Sequence, residues 1–222
     1  MSDHLTEEEQ LENLKRLWKE YGTTIIASVA VATAGYFGWN YWQSAEQQRI
    51  AQASDTYEEI VASASGPAAG EESAATTEHL AAQIKDSADD TAYAAQAAFF
   101  AAKAAVQNDN LDQAQQQLQW VIDNSKTEAF QEIARMRLAR VLAAKGEYDS
   151  ALQLVSAAPA VGFAAEQAEV RGDILRMSGD QASAYSAYQE ALENFDGDQQ
   201  RRLVLQMKAD DMKPANAEEP SA

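Results

Sequence analysis

The stretch Lys145–Val155, KGEYDSALQLV, closes one helical segment and opens the next, and it has two relatives in the chain. Gly146-Glu147-Tyr148-Asp149-Ser150-Ala151 aligns with Asp109-Asn110-Leu111-Asp112-Gln113-Ala114 and with Gly179-Asp180-Gln181-Ala182-Ser183-Ala184. The alanines that close these turns, Ala114, Ala151 and Ala184, stand 37 and 33 residues apart. Four residues beyond each alanine come Leu118, Val155 and Tyr188; seven beyond come Val121, Ala158 and Ala191. Eight residues before Gly146 and Gly179 stand Leu138 and Arg171, each followed by a small residue, Ala139 or Gly172. A glycine at such a turn permits the left-handed backbone with which helices commonly end. Self-similarity at a fixed period outranks local propensity as evidence of fold.

Outward from these turns the chain is helical. From about Ala74 to Asp210 no strand-like alternation occurs, and alanine, leucine, glutamine and glutamate dominate. Breaks recur at Asp86–Asp90, Asn108–Asn110, Asn124–Ser125, Lys145–Glu147, Ala158–Pro159 and Ser178–Asp180. The segments between them have the length of helices folded into antiparallel hairpins. The fold class expected is all-α. The spacing resembles the 34-residue tetratricopeptide pattern, in which small residues let paired helices approach and a larger one fills the gap. Three features depart from it: Asp109 replaces the turn glycine, Arg171 replaces an apolar residue, and Pro159 comes near the end of the second unit's rather short second helix. Residues 46–86 would supply an atypical leading pair and Gln199–Asp210 a capping helix. Ser65-Gly66-Pro67-Ala68-Ala69-Gly70 breaks the leading pair, and an acidic, polar, disordered tail is expected over 213–222.

Toward the N-terminus, Tyr21 to Ala45 contains no charged residue. Within it Thr23–Trp42, TTIIASVAVATAGYFGWNYW, has the length of a helix that crosses a bilayer, roughly 20 residues. Trp18 and Tyr21 at one end, and Trp39, Tyr41 and Trp42 at the other, match aromatic belts at two membrane interfaces. A single transmembrane helix over 23–42 is therefore expected, uncleaved, because its end is bulky and Gln43 stands where a signal peptidase wants a small residue. Lys15, Arg16 and Lys19 precede it and only Arg49 follows closely, which places residues 1–22 in the cytoplasm and 43–212 on the far side. In the tail, Thr6 and Glu9 have capping-box spacing, and Leu11, Leu14, Trp18 and Tyr21 fall on one helical stripe. That stripe suits either an interfacial helix leading into lipid or a docking site for a cytoplasmic regulator. Ala30, Ala34 and Gly38 form a small-residue ridge on which another membrane helix could pack, or the segment is a plain tether.

Charge and chemistry exclude several classes of function. The net charge is −18, and residues 46–222 carry 29 acids against 14 bases, a surface that repels nucleic acid. There is no cysteine, hence no disulfide, thiol catalysis or Cys-type zinc site. The two histidines, His4 and His79, fall on opposite sides of the expected membrane, and the residues around His79, EHLAAQ, give it no second ligand at helical spacing. Asp86, Asp89 and Asp90 sit at a helix junction, where N-capping explains them. No phosphate loop, nucleophile elbow or H-E-x-x-H motif occurs. An enzyme is not expected, and no cofactor or metal is implied.

A helical solenoid without a catalytic site works by surface, through the face lined by the first helix of each hairpin. Alignment on the turns puts Phe99, Lys103, Met136, Arg140, Glu169, Asp173 and Arg176 on or near that face. Phe99 and Met136 either offer apolar contact to a partner or belong to the core between repeats. Arg140 would position a partner's carboxylate or backbone carbonyl.

Several stretches together resemble one family: LKRLWKEYG before the uncharged segment, GYFGWNYWQS at its exit, then ASDTYEEIV, IARMRLARVLAAKGEYDSALQLV and AAEQAEVRGDILRMSGDQASAYSAYQEAL. Over residues 5 to about 212 the chain resembles the YfgM family of ancillary SecYEG translocon subunits. The resemblance implies an inner-membrane protein of Gram-negative bacteria with a periplasmic tetratricopeptide-like domain. It implies partnership with the SecYEG translocon and with the membrane-anchored periplasmic chaperone PpiD, to pass emerging proteins to periplasmic chaperones. It also implies restraint of the stress-response regulator RcsB by the cytoplasmic tail, although the acidic tail here and the KPANAEEPSA end depart from the family pattern. The same anchored repeats would equally serve a scaffold for another envelope-assembly complex.

Overall fold

The computed structural model describes residues 7–65 and 71–214, and among them the regular structure is α-helical. The helices run α1 (Glu7–Ser65), α2 (Glu71–Ala88), α3 (Ala92–Gln107), α4 (Leu111–Asn124), α5 (Glu128–Ala144), α6 (Tyr148–Leu154), α7 (Ala164–Ser178), α8 (Gln181–Glu193) and α9 (Gln199–Asp211). The Thr6 half of the capping box, the Gly66–Gly70 break and the tail from Ala215 onward lie outside the described residues. The chain divides into two compact units, Met1–Ile50 and Ala51–Ala222.

In the second unit each hairpin turn has the geometry that the sequence spacing requires. Gly146 and Gly179 adopt φ of 81° and 88°, and Asp109, standing where a glycine was expected, adopts 59°. The same reverse hydrogen bond closes all three turns: Asn110 N–H to the Ala105 carbonyl (2.8 Å), Glu147 N–H to Leu142 (2.9 Å) and Asp180 N–H to Leu175 (3.0 Å). This is the Schellman closure, which satisfies a carbonyl left over at the helix end. Aspartate tolerates the left-handed region better than most side chains, so the first turn forms without glycine. After the first and third turns the next helix starts on a side-chain cap, whereas Glu147 at the second makes none. Asn110 Oδ1 accepts from Gln113 N–H (3.2 Å) and Asp180 Oδ1 from Ser183 N–H (3.1 Å).

Consecutive helices from α2 to α9 pack against one another, except that α7 also packs on α5, and α5 also touches α3. The first helices α3, α5 and α7 therefore lie side by side, with α4, α6 and α8 behind them. Small residues dominate the core. Seven alanines of α3 are buried, and Ala114, Ala139, Ala151, Ala184 and Ala191 are fully buried elsewhere. Gly172 leaves no room for any side chain. A Cβ there would lie 2.6 Å from Cε1 of Tyr188, whose fully buried ring fills the space that glycine leaves. The final turns of α1 join this unit through Ala53 and Ile60, which pack with Ala81 and Ile84, and through Tyr57, whose ring lies 5.7 Å from Tyr93 and 5.9 Å from Phe100. The second hairpin is lopsided: α6 stops at Leu154, well before the break expected at Ala158–Pro159, and an irregular segment leads to α7. Gln167 holds that segment, donating from Nε2 to the Ala157 carbonyl at 3.0 Å.

The first unit is the part of α1 up to Ile50, and here one expectation is corrected. No helix among the described residues is long and apolar enough to cross a membrane, so a span over Thr23–Trp42 is not supported. The segment lacks charge, but absence of charge is not apolarity. Thr23, Thr24, Ser28, Thr33, Asn40 and two glycines dilute Ile25, Ile26, Val29 and Val31, and its aromatics carry polar groups. Thr33 Oγ1 donates to the Val29 carbonyl at 2.7 Å, so its hydroxyl is satisfied within the helix. Ile25, Ile26, Val29, Val31, Phe37, Trp39 and Trp42 are all exposed.

Candidate functional site

The face formed by α3, α5 and α7 carries two clusters. The first joins α5, α7, α8 and α9. Glu169, only 4% exposed, accepts from Lys208 Nζ at 2.7 Å and is paired with Arg201. Lys208 Nζ also reaches Asp173 Oδ1 at 2.7 Å, and Tyr188 donates its hydroxyl to the same oxygen at 2.9 Å. Arg140 Nη2 approaches the other Asp173 oxygen at 3.5 Å. A buried carboxylate needs such company, because an unpaired charge out of water is costly. Burial and then the charge of Asp173 push the Tyr188 phenol well above its ordinary range, with Arg176 acting in the opposite sense. Tyr188 thus stays a donor, and the cluster fastens α9 to α7.

The second cluster lies where α3 meets α5. Phe99 and Phe130 pack edge to face, 6.1 Å between centroids. The Arg137 guanidinium lies over the Phe99 ring, 4.6 Å from its centroid. Burial, and next the charge of Arg140, lower the pKa of Arg137. Lys103, one turn beyond Phe99, is exposed beside a small cleft lined by Ala64, Ser73, Thr77 and Asn108.

The residues picked out from sequence divide between these clusters. Arg140, Glu169 and Asp173 come together in the first, with Arg176 acting on Tyr188 beside it; Phe99 anchors the second, with Lys103 at its edge. Met136 does not reach the face: it is 6% exposed within the core around Leu138 and Leu142, and cannot touch a partner. Arg140 is already shared with Asp173, so it is not a free cation waiting for a ligand. Glu169 too is committed internally. Sequence reasoning missed Lys208 and Arg201, which lie 39 and 32 residues from Glu169, beyond any local spacing rule. It also missed Arg137, although the run Arg135-Met136-Arg137 was in plain view; a third of a helical turn separates the buried Met136 from its exposed neighbours. On α1, Ala30, Ala34 and Gly38 are exposed, and nothing lies within 4 Å of where a Gly38 Cβ would stand.

Known proteins agree with this architecture. The model of a tetratricopeptide repeat-like domain family matches residues 15–214. A protein of Neisseria gonorrhoeae named ancillary SecYEG translocon subunit is 31% identical over 213 residues, covering 96% of this chain and all of that one. Proteins of the same name from Haemophilus influenzae and Escherichia coli K12 are 29% identical over 212 residues and 28% over 194. These alignments cover 96% and 87% of this chain, and 100% and 91% of the relatives. No solved structure matches. A helical repeat unit with three matching Schellman turns, a family model over nearly its whole length and relatives aligned end to end lead to one conclusion: the chain belongs to the tetratricopeptide repeat-like family of ancillary SecYEG translocon subunits.

Proposed function

We propose that this chain is a non-catalytic adaptor of the SecYEG translocon that holds partner proteins on the α3–α5–α7 face of its repeats. The observation that carries this is the combination of that face with relatives whose shared name places them at the translocon. The domain order proposed is a cytoplasmic tail to residue 22, a membrane segment over 23–42, a periplasmic repeat domain to 212 and a short tail. The asymmetry of Lys and Arg around the uncharged segment supports this orientation at the inner membrane. The segment's modest apolarity supports a specific version: it inserts stably beside the translocon's own membrane helices, against the Ala30–Ala34–Gly38 ridge, rather than alone in lipid. From the family resemblance we further propose PpiD as the periplasmic partner and hand-over of emerging proteins as the task. Restraint of RcsB by the tail is proposed on the same ground.

Affinity purification from membranes in mild detergent, followed by mass spectrometry, tests the adaptor role. Recovery of SecY, SecE and SecG with a periplasmic chaperone is expected; recovery of cell-wall assembly proteins without them would favour a scaffold and sink the proposal. The membrane version has its own test. Ala34→Leu with Gly38→Leu raises the apolarity of the segment while filling its ridge, so the chain should stay in the membrane fraction yet lose SecYEG. Retained association would reduce the segment to a tether.

A further inference from the structure

We propose that Arg137, stacked on Phe99, is the anchor for a partner's carboxylate side chain, set among apolar residues, so that the ligand of this face is a segment in which Glu or Asp alternates with large aliphatic groups. The proposal rests on the adaptor function above and names the chemistry of its site.

Three arginines of α5 point away from its core, and two are already engaged. Arg135 Nη1 donates to buried Glu132 at 2.6 Å, and Arg140 is shared with Asp173. Arg137 has no carboxylate partner among the described residues; its neighbour is an aromatic ring. What sets Arg137 apart on α5 is that its neighbour is the Phe99 ring, whereas Arg135 and Arg140 each face a carboxylate. The guanidinium is partly buried over the Phe99 ring, and burial, then the charge of Arg140, lower its pKa. An incoming carboxylate offsets the repulsion from Arg140 with an attraction of its own.

The geometry also selects the ligand. The guanidinium carbon lies 4.6 Å from the ring centroid, and its N–H groups have no carboxylate partner among the described residues; such a fork matches a carboxylate through two parallel hydrogen bonds. The Phe99–Phe130 pair beside it offers an apolar contact with half-buried rings, suited to Leu, Ile or Met. Lys103, one turn along α3, supplies a second positive charge at the edge. A polyanion is a poor fit: the net charge of −18 repels nucleic acid, whereas one or two carboxylates in an apolar segment carry little charge into that field.

The test uses the purified full chain in detergent and three synthetic helical peptides that differ only on one face: Leu with Glu, Leu with Gln, and Leu with Lys. Fluorescence anisotropy should show the Glu peptide binding about tenfold or more tightly than the Gln peptide, as a charged hydrogen bond at a desolvated site requires. Arg137→Gln should abolish that difference, Arg140→Gln should leave most of it, and Arg137→Glu should turn the preference toward the Lys peptide. Because the chain has no cysteine, Lys103→Cys gives one reactive site, and a cysteine-bearing Glu peptide should crosslink to it. Equal binding of the Glu and Gln peptides, no binding of either, or a difference that survives Arg137→Gln would overturn the inference. SecYEG co-purifying with the unaltered chain in those cases would leave the adaptor role standing, so the two failures are distinguishable.

Discussion

The two units of the chain treat apolar side chains in opposite ways. In Met1–Ile50 the large ones, Ile25, Ile26, Val29, Phe37, Trp39 and Trp42 among them, are exposed. In Ala51–Ala222 the buried positions go largely to alanine, with a few large side chains such as Ile60, Ile84, Leu118, Ile174 and Tyr188 at the joints. Size alone therefore does not tell where a side chain ends up. Large exposed residues on one helix have no folding role within their own unit, and they are available to lipid or to another protein's helices. Small buried residues do the opposite: they contribute little area each but let helix backbones come close, so that Tyr188 can sit in the gap at Gly172.

The contrast predicts where substitutions matter. The largest effect should come from Tyr188→Ala, which empties a fully buried site and unlinks Asp173; a loss of about 3–5 kcal/mol is expected in urea unfolding of the repeat unit. Gly172→Ala should cost about 1–3 kcal/mol by overpacking against the same ring. The pair together should cost less than the sum, because removing the ring makes room for the new methyl. Lys208→Met leaves buried Glu169 with Arg201 alone and Asp173 with one cation fewer. A loss of about 2 kcal/mol is expected, with earlier proteolysis of α9.

A smaller effect depends on pH. The hydrogen bonds from Ser183 hold the Asp180 pKa below its ordinary value. A carboxylate with a depressed pKa in the folded state stabilises above its unfolded pKa, and that stabilisation disappears as pH falls through the folded value. Acid titration of the melting temperature should therefore be shallower in Asp180→Ala below about pH 4. Smallest of all, Ile26→Ala and Val29→Ala should change unfolding of the repeat unit by no more than about 0.5 kcal/mol, while lowering the share of the chain found in membranes. A stability loss like that at Tyr188 would erase the contrast between the units.

The repeats were legible because their signal is local and occurs three times. Asp109 alone would not announce a left-handed residue; it becomes readable because Gly146 and Gly179 hold the equivalent places, and its φ of 59° agrees with them. The short α6 was only half legible. The break at Ala158–Pro159 marks the end of the hairpin, but the helix already stops at Leu154, and the segment beyond it is held at Ala157 by Gln167 of the next repeat. At the site, alignment on the turns found the face yet not the roles. Met136 lies next to two arginines in sequence and about 100° from each around the helix, and whether a residue faces core or solvent turns on a rotation finer than the turn alignment fixes. The cations that neutralise Glu169 come from the last helix, where nothing in the intervening sequence points back to α7. In the first unit the absence of charge and the flanking aromatics point to a transmembrane helix over 23–42, but the polar residues among them leave no helix of the described residues apolar enough to cross a membrane.

The alanine surface of α3 has an entropic consequence. Ala94, Ala95, Ala97, Ala98, Ala101, Ala102 and Ala105 are buried on several sides of one helix. Alanine loses no rotamer freedom on burial, so this helix is ordered at a low entropic cost. Its few large side chains, Tyr93, Phe99 and Phe100, are left to fix how it sits against its neighbours, through their ring contacts with Tyr57 and Phe130. The Phe99–Arg137 pair therefore stands on a helix whose ordering costs little side-chain entropy, and the large residues that position it are confined to three aromatic rings.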